Sequence, residues 1–560
     1  MTQTLVPPTP QAPPPGTRSR RLPARGRPLW SATVAVVALL VAAPVIAVLV
    51  DVSTGSWPAW PRDLGSMVVT TLALMAGVGV GTLVVGCGLA WLVTAYTFPG
   101  RDVLVWLLVL PLAMPAYILG FVFLSTLDAA GPVQQALRGA VGSGVEIPVR
   151  SLGGCIVVMS LTLYPYVYLL ARAAFVEQGS RTYDAARTLG AGRRRAFFRV
   201  LLPLARPSLA AGLALVMMEV LTDFATVQYF GVRTVSVGVY SVWQGSYDFG
   251  SAVQLSTLVL LFAVAVLAGE RLMRGRARYI QAGHGTVSAP EPLSGWRAGS
   301  ATTACLLTLA AGFFVPVLRL AAWAVDRFRT AGTAAFDERF GEYLVNSVAV
   351  AAIAAMSCCT LAVLIGHAVK LGGGRVVRGF AALTTFGYAV PGAVIGIGTL
   401  VVFAAADDLL GALGVPGGTG LLVTGSVLGI LYAYAVRFLG PAYQAVDASF
   451  AKVSPTMTQS ALSLGAPPRR VLTRVHLPLV RPGVAVALVL VSVDAIKELP
   501  IVLLLRPFGF TTVSVWVYQL AAENFWTLAA LPALLIVGLA VIPVALLFRQ
   551  IRAADGGGRG

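Results

Sequence analysis

Long apolar segments, separated by short polar ones, recur along the whole chain of 560 residues. Segments of roughly 20 apolar residues can cross the hydrocarbon of a bilayer as helices, which satisfy their own backbone hydrogen bonds in lipid. The short alternating segments of a membrane barrel are not evident. The pattern predicts about twelve spans, near 29–50, 66–95, 103–126, 151–175, 207–230, 251–272, 298–325, 343–370, 379–406, 420–445, 482–505 and 525–548.

The composition agrees with an all-α polytopic membrane protein. Hydrophobic residues make up 57% of the chain and charged residues only 11%, whereas soluble domains carry about 25% charged residues. The formal net charge is +18, and the arginines concentrate in short segments beside apolar ones. Basic loops beside spans mark the cytoplasmic side. We therefore expect lipid rather than nucleic acid as the surroundings, with both termini in the cytoplasm.

The chain is expected to divide into five parts. The predicted parts are a disordered basic cytoplasmic N-terminus (1–28), a first six-span unit (29–272), a cytoplasmic linker (273–296), a second six-span unit (297–550) and a cytoplasmic tail (551–560). A cleaved signal peptide is the alternative for the first apolar segment. The length of that segment and the lack of a clear cleavage site disfavour it.

Two basic segments reveal an internal repeat. The first basic segment, DAARTLGAGRRRAFFRVLLP at 184–203, and the second basic segment, QSALSLGAPPRRVLTRVHLP at 459–478, lie 275 residues apart. The same offset pairs Glu219 with Asp494 and Asp223 with Glu498. An even number of spans in each repeat gives both halves the same orientation, as in transporters with parallel repeats. The midline between the halves is then the natural place for a path.

Each basic segment is expected to form two short helices. In the first segment, Gly190 would end one helix and Pro203 would end the next. Arginines cover one side of this pair, and Phe and Leu residues cover the other, so the pair suits a groove on a partner. A loop that merely obeys the positive-inside rule is the alternative. That alternative does not explain why both halves have the same Gly-to-Pro spacing.

These segments resemble the EAA loop of ABC importer permeases. In that family the loop holds a coupling helix, which fits a cleft of the ATPase subunit, and the fold is the type I importer permease fold. The resemblance implies coupling roles for Asp184, Ala185, Ala186, Gly190, Leu202 and Pro203, and for Gln459, Ser460, Ala461, Gly465, Leu477 and Pro478. The second copy departs from the pattern because Gln459 replaces the acid, so a contact that needs a carboxylate is in doubt there.

Several stretches are similar to the iron(III) branch of these permeases, in which two units are commonly fused. They include LPLAMPAYILGF (110–121), MEVLTDFATVQYFGV (218–232) and IKELPIVLLLRPFGFTT (496–512). The resemblance implies Fe(III) as cargo, delivered by an extracytoplasmic binding protein. Thiamine, polyamine, phosphonate and sulfate permeases share much of the pattern and are alternatives.

The chain holds no nucleotide-binding loop. Such a loop needs Gly-Lys-Ser/Thr, and the three lysines, Lys370, Lys452 and Lys497, precede Leu, Val and Glu. We therefore expect a transport subunit that is not an enzyme. The resemblance implies two copies of a separate ATPase, which would carry the ATP and Mg²⁺.

Four acids within predicted spans are candidate path residues. Carboxylates inside a membrane are costly and usually face a cavity or the bundle interior. The candidates are Glu219, Asp223, Asp494 and Glu498, joined by Tyr117, Tyr164 and Tyr166. In the alternative, the acids pair with Lys497, Arg172 or Arg437 and only hold helices together. Glu219 and Asp223, four apart, should share a helix face.

Other features remain open at the level of sequence. Pro115 and Pro391 lie at matching positions and should kink their spans, either for a gate or for packing. His284, His367 and His476 are scattered and predict no metal site. The competing class is a secondary transporter, driven by an ion or proton gradient through the intramembrane acids.

Overall fold

The computed structural model describes residues 27–54, 60–142, 146–178, 186, 188–245, 248–274, 290–332, 337–414 and 425–556. Nearly all of them are helical. The helices of the first half are α1 (Arg27–Thr54), α2 (Leu64–Ala95), α3 (Arg101–Leu107), α4 (Ala116–Leu127), α5 (Pro132–Val141), α6 (Leu152–Gln178), α7 (Arg193–Ala196), α8 (Leu202–Leu204), α9 (Arg206–Thr222), α10 (Ala225–Tyr229), α11 (Val235–Gly245) and α12 (Phe249–Arg274).

The second half follows the same general order. Its helices are α13 (Gly295–Leu309), α14 (Val315–Ala331), α15 (Phe340–Lys370), α16 (Arg375–Leu383), α17 (Gly392–Ala412), α18 (Val427–Ala451), α19 (Pro455–Ser463), α20 (Pro468–Val471), α21 (Leu477–Lys497), α22 (Pro500–Leu505), α23 (Val513–Ala522) and α24 (Trp526–Gly556). Short 3₁₀ turns (Leu110–Ala113, Phe386–Ala389) and π turns (Phe197–Leu201, Ala310–Phe314, Leu472–His476) lie between them. Two short strands, β1 (Tyr96–Thr97) and β2 (Glu291–Pro292), pair in parallel with Tyr96 opposite Glu291.

The described helices agree with the prediction of about twelve spans. Within the described residues, 10 helices are long and apolar enough to cross a membrane, or 11 if the bent pair Phe197–Leu204 and Arg206–Thr222 counts as one span. The predicted span at 420–445 is present as α18, but that helix carries Arg437 at its centre. The charged side chain makes α18 less apolar than a typical spanning helix.

Several predicted boundaries also shift. α13 begins at Gly295, inside the predicted linker, and α24 runs to Gly556, past the predicted start of the tail at 551. α1 already begins at Arg27. Residues 1–26 and most of the linker, 275–289, lie outside the described residues.

The repeat is visible in the packing. In the first half α2, α6 and α9 pack on one another, and in the second half α15, α18 and α21 do the same. Pro115 and Pro391 have nearly the same backbone, with φ −57° and ψ 138° for the first and φ −53° and ψ 139° for the second. Each follows a 3₁₀ turn and precedes a new helix. The two prolines therefore separate helices completely, where the sequence predicted only kinks.

The first helix of each half packs against the other half. α1 lies along α15, α16 and α17, while α13 contacts α3 and the following π turn contacts α6. Neither half could bury these apolar faces alone. These reciprocal contacts of the first helices therefore join the two halves into one bundle.

Small residues let the core helices approach closely, as is common in membranes. A Cβ on Gly86 of α2 would lie 2.8 Å from the carbonyl oxygen of Tyr164 and 3.0 Å from the amide nitrogen of Tyr168 in α6. No atom lies within 4 Å of the corresponding position on Gly88, two residues further along the same helix. Gly86 therefore sets the contact between α2 and α6.

We expect Gly86→Ala to lower the free energy of unfolding by about 1–3 kcal/mol, because the added methyl group overpacks a backbone contact. Gly88→Ala is the matched control, since both substitutions gain the same helix propensity. Thermal unfolding of both variants in one detergent measures the difference. Equal stability of the two would contradict the close packing of α2 on α6.

Candidate functional site

A central cavity of about 120 Å³ lies where the two halves meet. Its walls come from the start of α4, from α6 and the end of α9 in the first half, and from α18 and the end of α21 in the second. The polar side chains that line it are Tyr117, Thr162, Tyr166, Glu219, Thr222, Asp223, Tyr388, Arg437, Asp494, Lys497 and Glu498. All four predicted acids therefore meet in one place. A space of this size holds several waters or a small ion.

The second acid of each pair lies one residue beyond its helix. α9 ends at Thr222 and α21 ends at Lys497, so Asp223 and Glu498 have extended backbones with ψ 109° and 129°. The Asp223 carboxylate accepts hydrogen bonds from the amide of Thr226, at 2.9 Å, and from its hydroxyl group. Glu219 and Asp223 line the same cavity, as their spacing predicted, and the amide of Asp223 still donates to the carbonyl of Glu219 at 2.9 Å. The helix ends at this point, and the Asp223 carboxylate satisfies backbone groups that the break exposes.

Two cations of the second half pair with the acids of the second half. Arg437 Nε lies 3.2 Å from Glu498 Oε2, with each side chain only 7% exposed. Lys497 Nζ lies 2.8 Å from Asp494 Oδ1. In this half the acids therefore pair with cations, as the alternative interpretation of the sequence predicted. Arg172, the third candidate cation, lies instead over the ring of Trp106, 5.0 Å from its centroid.

The acids of the first half have no such cation. Among the residues that the structure describes, neither Glu219 nor Asp223 forms an ion pair. At the offset of 275, threonines replace the two cations: Thr162 stands where Arg437 does, and Thr222 stands where Lys497 does. The repeat therefore conserves the carboxylates in position but not their partners.

The three predicted tyrosines have different roles. The hydroxyl of Tyr166 donates to Glu219 Oε1 at 3.5 Å. Tyr117 is buried against the cavity, and its hydroxyl has no hydrogen-bond partner among the described residues. Tyr164 lies outside the cavity and donates to the carbonyl of Leu108 at 2.8 Å, so it is a packing residue. Tyr388, which sequence reasoning missed, also lines the cavity, and its position just before Pro391 was the available signal.

The basic segments share one backbone geometry. Gly190 has φ +85° and Gly465 has φ +81°, which is the left-handed conformation that glycine readily adopts. The preceding residues, Leu189 and Leu464, are both 88% exposed. Two apolar side chains at matching positions thus project from the surface. A single exposed apolar side chain is common on protein surfaces, so the informative feature is that it recurs at the same position in both basic segments.

The other residues of the two basic segments are described in part. Asp184 and Ala185 lie outside the described residues. In the first segment Ala186, Leu202 and Pro203 are half-buried. In the second segment Gln459 and Ser460 are exposed on α19 and Ala461 is half-buried, while Leu477 and Pro478 are exposed at the start of α21.

Pro203 lies one residue before the end of a short helix, close to its predicted role, whereas Pro478 ends no helix. The π turn before Pro203 leads into Leu202–Leu204, and the chain then bends by 65° into α9. In the second segment α21 begins at Leu477 and continues through Pro478 and Pro482 without such a bend. Proline is tolerated in the first turn of a helix, where its missing amide is not needed. The two halves therefore join their basic segments to the membrane helices differently.

Two of the three histidines meet at the second basic segment. The Nδ1 atoms of His367 and His476 lie 2.8 Å apart, and His476 Nε2 lies 3.0 Å from the hydroxyl of Thr458. This buried contact ties the segment to α15. In the described residues no group of three or more His, Cys, Asp or Glu could hold a metal. His284 lies outside the described residues.

Comparison with known proteins agrees with this architecture. Residues 83–275 match the family described as the inner membrane component of binding-protein-dependent transport systems. The chain is 25% identical to the Fe(3+)-transport system permease protein FbpB 2 of Haemophilus influenzae over 498 residues, which cover 87% of this chain and 90% of that protein.

Shorter relatives match part of the chain. It is 29% identical to the molybdenum transport system permease protein ModB of Escherichia coli over 39% of this chain and 94% of that protein. It is 28% identical to the sulfate transport system permease protein CysT of Salmonella typhimurium over 44% of this chain and 92% of that protein. Each of these relatives is matched over almost its whole length but covers less than half of this chain. This relation is expected for a chain that consists of two units.

The fold and the acidic cavity between two similar halves define a multi-pass membrane permease with the type I importer fold. The match over residues 83–275 shows what this part of the chain is similar to, namely the inner membrane component of binding-protein-dependent transport systems. The resemblance to iron(III) transport permeases that the sequence predicted is confirmed.

We expect Arg437→Gln to lower the free energy of unfolding by about 3–5 kcal/mol, because it leaves Glu498 charged and unpaired in a buried site. The double variant Arg437→Gln/Glu498→Gln should recover most of this loss. Arg233→Gln is the control, since Arg233 is 77% exposed in its pair with Asp63, and such pairs contribute about 0–1 kcal/mol. Thermal unfolding of the detergent-solubilised variants provides the measurement, and similar losses for both single variants would contradict the assignment.

Proposed function

We propose that the chain is the transmembrane subunit of an ATP-driven importer and that its cargo is Fe(III). The observation that carries the first part is the pair of basic segments, each with an exposed leucine before a left-handed glycine. A gradient-driven transporter has no need for two such docking elements at equivalent positions. Each segment would seat one copy of a separate ATPase, and the ATP and Mg²⁺ would be bound there.

The arrangement in the membrane follows from the same proposal. The two units, 29–272 and 297–550, would stand side by side, with the N-terminus, the linker and the tail in the cytoplasm. An extracytoplasmic binding protein would deliver the cargo on the opposite side. Closure of the ATPases on nucleotide would bring the basic segments together, and the packed halves would rock as rigid bodies to alternate access to the central cavity.

The charge of the central cavity supports a cation as the cargo. Four carboxylates line it but only two cations, and both cations are already paired. Carboxylate and phenol oxygens are hard donors, which suit Fe(III). Among the relatives, FbpB 2 is an iron permease, whereas ModB and CysT serve molybdenum and sulfate. An acid excess does not suit oxyanions such as sulfate or phosphonate, whereas the cationic thiamine and polyamines are the alternatives that fit the same charge.

Co-purification distinguishes ATP-driven from gradient-driven transport. The chain is expressed with the ATPase of its transport system, and the complex is isolated through a tag on the permease. We expect two ATPase copies per chain. Uptake of ⁵⁵Fe(III) by the lone chain in liposomes, driven by a proton gradient, would instead establish a secondary transporter.

We expect Leu189→Glu combined with Leu464→Glu to reduce the recovered ATPase at least tenfold, because a charge replaces each apolar contact. Phe508→Glu is the matched control, since Phe508 is a fully exposed apolar side chain in the loop after α22, away from both basic segments. Quantitative gel analysis of the purified complex measures the ratio. Full recovery of the ATPase with the double variant would remove these leucines from the contact.

We expect Asp223→Asn combined with Glu498→Gln to abolish uptake of ⁵⁵Fe(III), because the cavity loses two of its four negative charges. Tyr164→Phe is the control outside the cavity, where uptake should persist. Each variant is reconstituted with its ATPase and binding protein, and ATPase rate and folding are measured in parallel. Normal uptake by the double variant would exclude these acids from the path.

A further inference from the structure

A second cavity, here called the inner chamber, adjoins the central cavity. Its volume is about 300 Å³, and it shares four wall residues with the central cavity: Glu219, Thr222, Tyr388 and Arg437. The rest of its wall is mainly apolar and comes from α9, α12 and Ala389. The four shared residues therefore lie at the boundary between the two spaces, and this boundary is here called the partition.

The inner chamber lies on the side of the basic segments. Its α9 residues, from Ala211 to Met218, lie between the first basic segment and Glu219 in the chain. The central cavity is lined by Thr222 to Ala225, beyond Glu219. At 1.5 Å per residue, Ala211 lies about 12 Å from Glu219 along the helix. Glu270, near the end of α12, adds a second carboxylate to the wall of the chamber.

Arg437 is the cation of this partition. Its Nε lies 3.2 Å from Glu498 Oε2, and its Nη1 donates to the carbonyl of Val390 at 3.3 Å. The planar guanidinium can hold both groups at once, which a lysine cannot do in the same way. The first turn of α17 presses against the pair, because a Cβ on Gly392 would lie 3.0 Å from Glu498 Oε1 and 3.3 Å from Arg437 Nη1.

Lys497 provides an internal comparison. It is also a cation paired with an acid, but it lines only the central cavity and not the inner chamber. Among the residues that line both cavities, Arg437 alone carries positive charge. Its counterpart in the first half is Thr162, so the repeat supplies this cation once.

We propose that Arg437 is a tethered counter-ion that closes the passage from the central cavity to the inner chamber until a cargo cation displaces it. In the closed state the guanidinium occupies Glu498 and fills the gap beside Val390. A cation that binds the central carboxylates competes for Glu498 and repels the guanidinium. The side chain then leaves the partition, and the route past Glu219 toward Glu270 opens. The proposal rests on the proposed function, because it takes the central cavity as the cargo path.

Cysteine accessibility tests this gate without ATPase or transport. Thr162→Cys places a thiol in the central cavity, and Ala214→Cys places one in the inner chamber. A membrane-impermeant maleimide is added to proteoliposomes from the side of the basic segments, with the parent chain as baseline for its own cysteines. We expect Ala214→Cys to react readily and Thr162→Cys to react slowly. Rapid reaction of both would show that no closed partition exists.

Removal of the cation should open the passage. We expect Arg437→Ala to raise the reaction rate of Thr162→Cys at least tenfold, whereas Lys497→Gln, which removes an equal charge from the same cavity, leaves the rate unchanged. Since Arg437→Ala exposes an unpaired Glu498, Arg437→Ala/Glu498→Gln provides a second variant that should fold and react as quickly. Unchanged rates in both Arg437 variants, or an equal rise with Lys497→Gln, would overturn the proposal.

The cargo should act in the same direction. Ferric citrate is expected to raise the rate of Thr162→Cys in the chain with Arg437, and citrate alone is not. If ferric citrate has no effect while Arg437→Ala opens the passage, displacement by a cation is wrong. The proposed function fails separately, through loss of ATPase co-purification or of uptake, because the labelling experiment depends on neither.

Discussion

Breaking a helix inside the membrane exposes backbone groups that lipid cannot satisfy, and this cost organises the central cavity. Four breaks converge there, before α4 and α17 and after α9 and α21. Polar side chains lie beside these breaks. Asp223 accepts from the amide of Thr226, and Arg437 donates to the carbonyl of Val390. The polar side chains of the cavity thus stabilise the fold, because they bond backbone groups that are left free where helices end inside the membrane.

Sequence reasoning succeeded where one physical signal dominated. Apolar length located the helices, and the offset of 275 residues is enough to pair Glu219 with Asp494. It was less successful at helix ends. A proline inside a span can kink a helix or separate two helices, and tertiary partners decide between these outcomes. The complete breaks at Pro115 and Pro391 therefore could not be derived from the local pattern.

Contacts between residues that are distant in the chain were also not predicted from the sequence. His367 and His476 lie 109 residues apart in the chain, and nothing in their spacing predicts that their rings meet. Tyr388, three residues before Pro391, lines the cavity, but a tyrosine in an apolar segment does not by itself predict such a position. The sequence allows ion pairs of Arg437 and Lys497 but does not distinguish pairing from a path-lining role. The structure gives these residues both properties, since paired groups line the cavity.

The first helix of each half packs against the other half, and among the described residues only the second half places cations at the central cavity. Both features give a reason why one chain carries both units. Two copies of the first unit would surround the midline with four carboxylates and no cation, and two copies of the second would surround it with four carboxylates and four cations. A symmetric dimer must place every cation twice, so it cannot have cations on one side of the midline and none on the other. Covalent fusion allows this unequal distribution, because each unit can diverge while the other keeps its own side chains. Charge at the midline thus becomes a property that evolution can adjust one residue at a time.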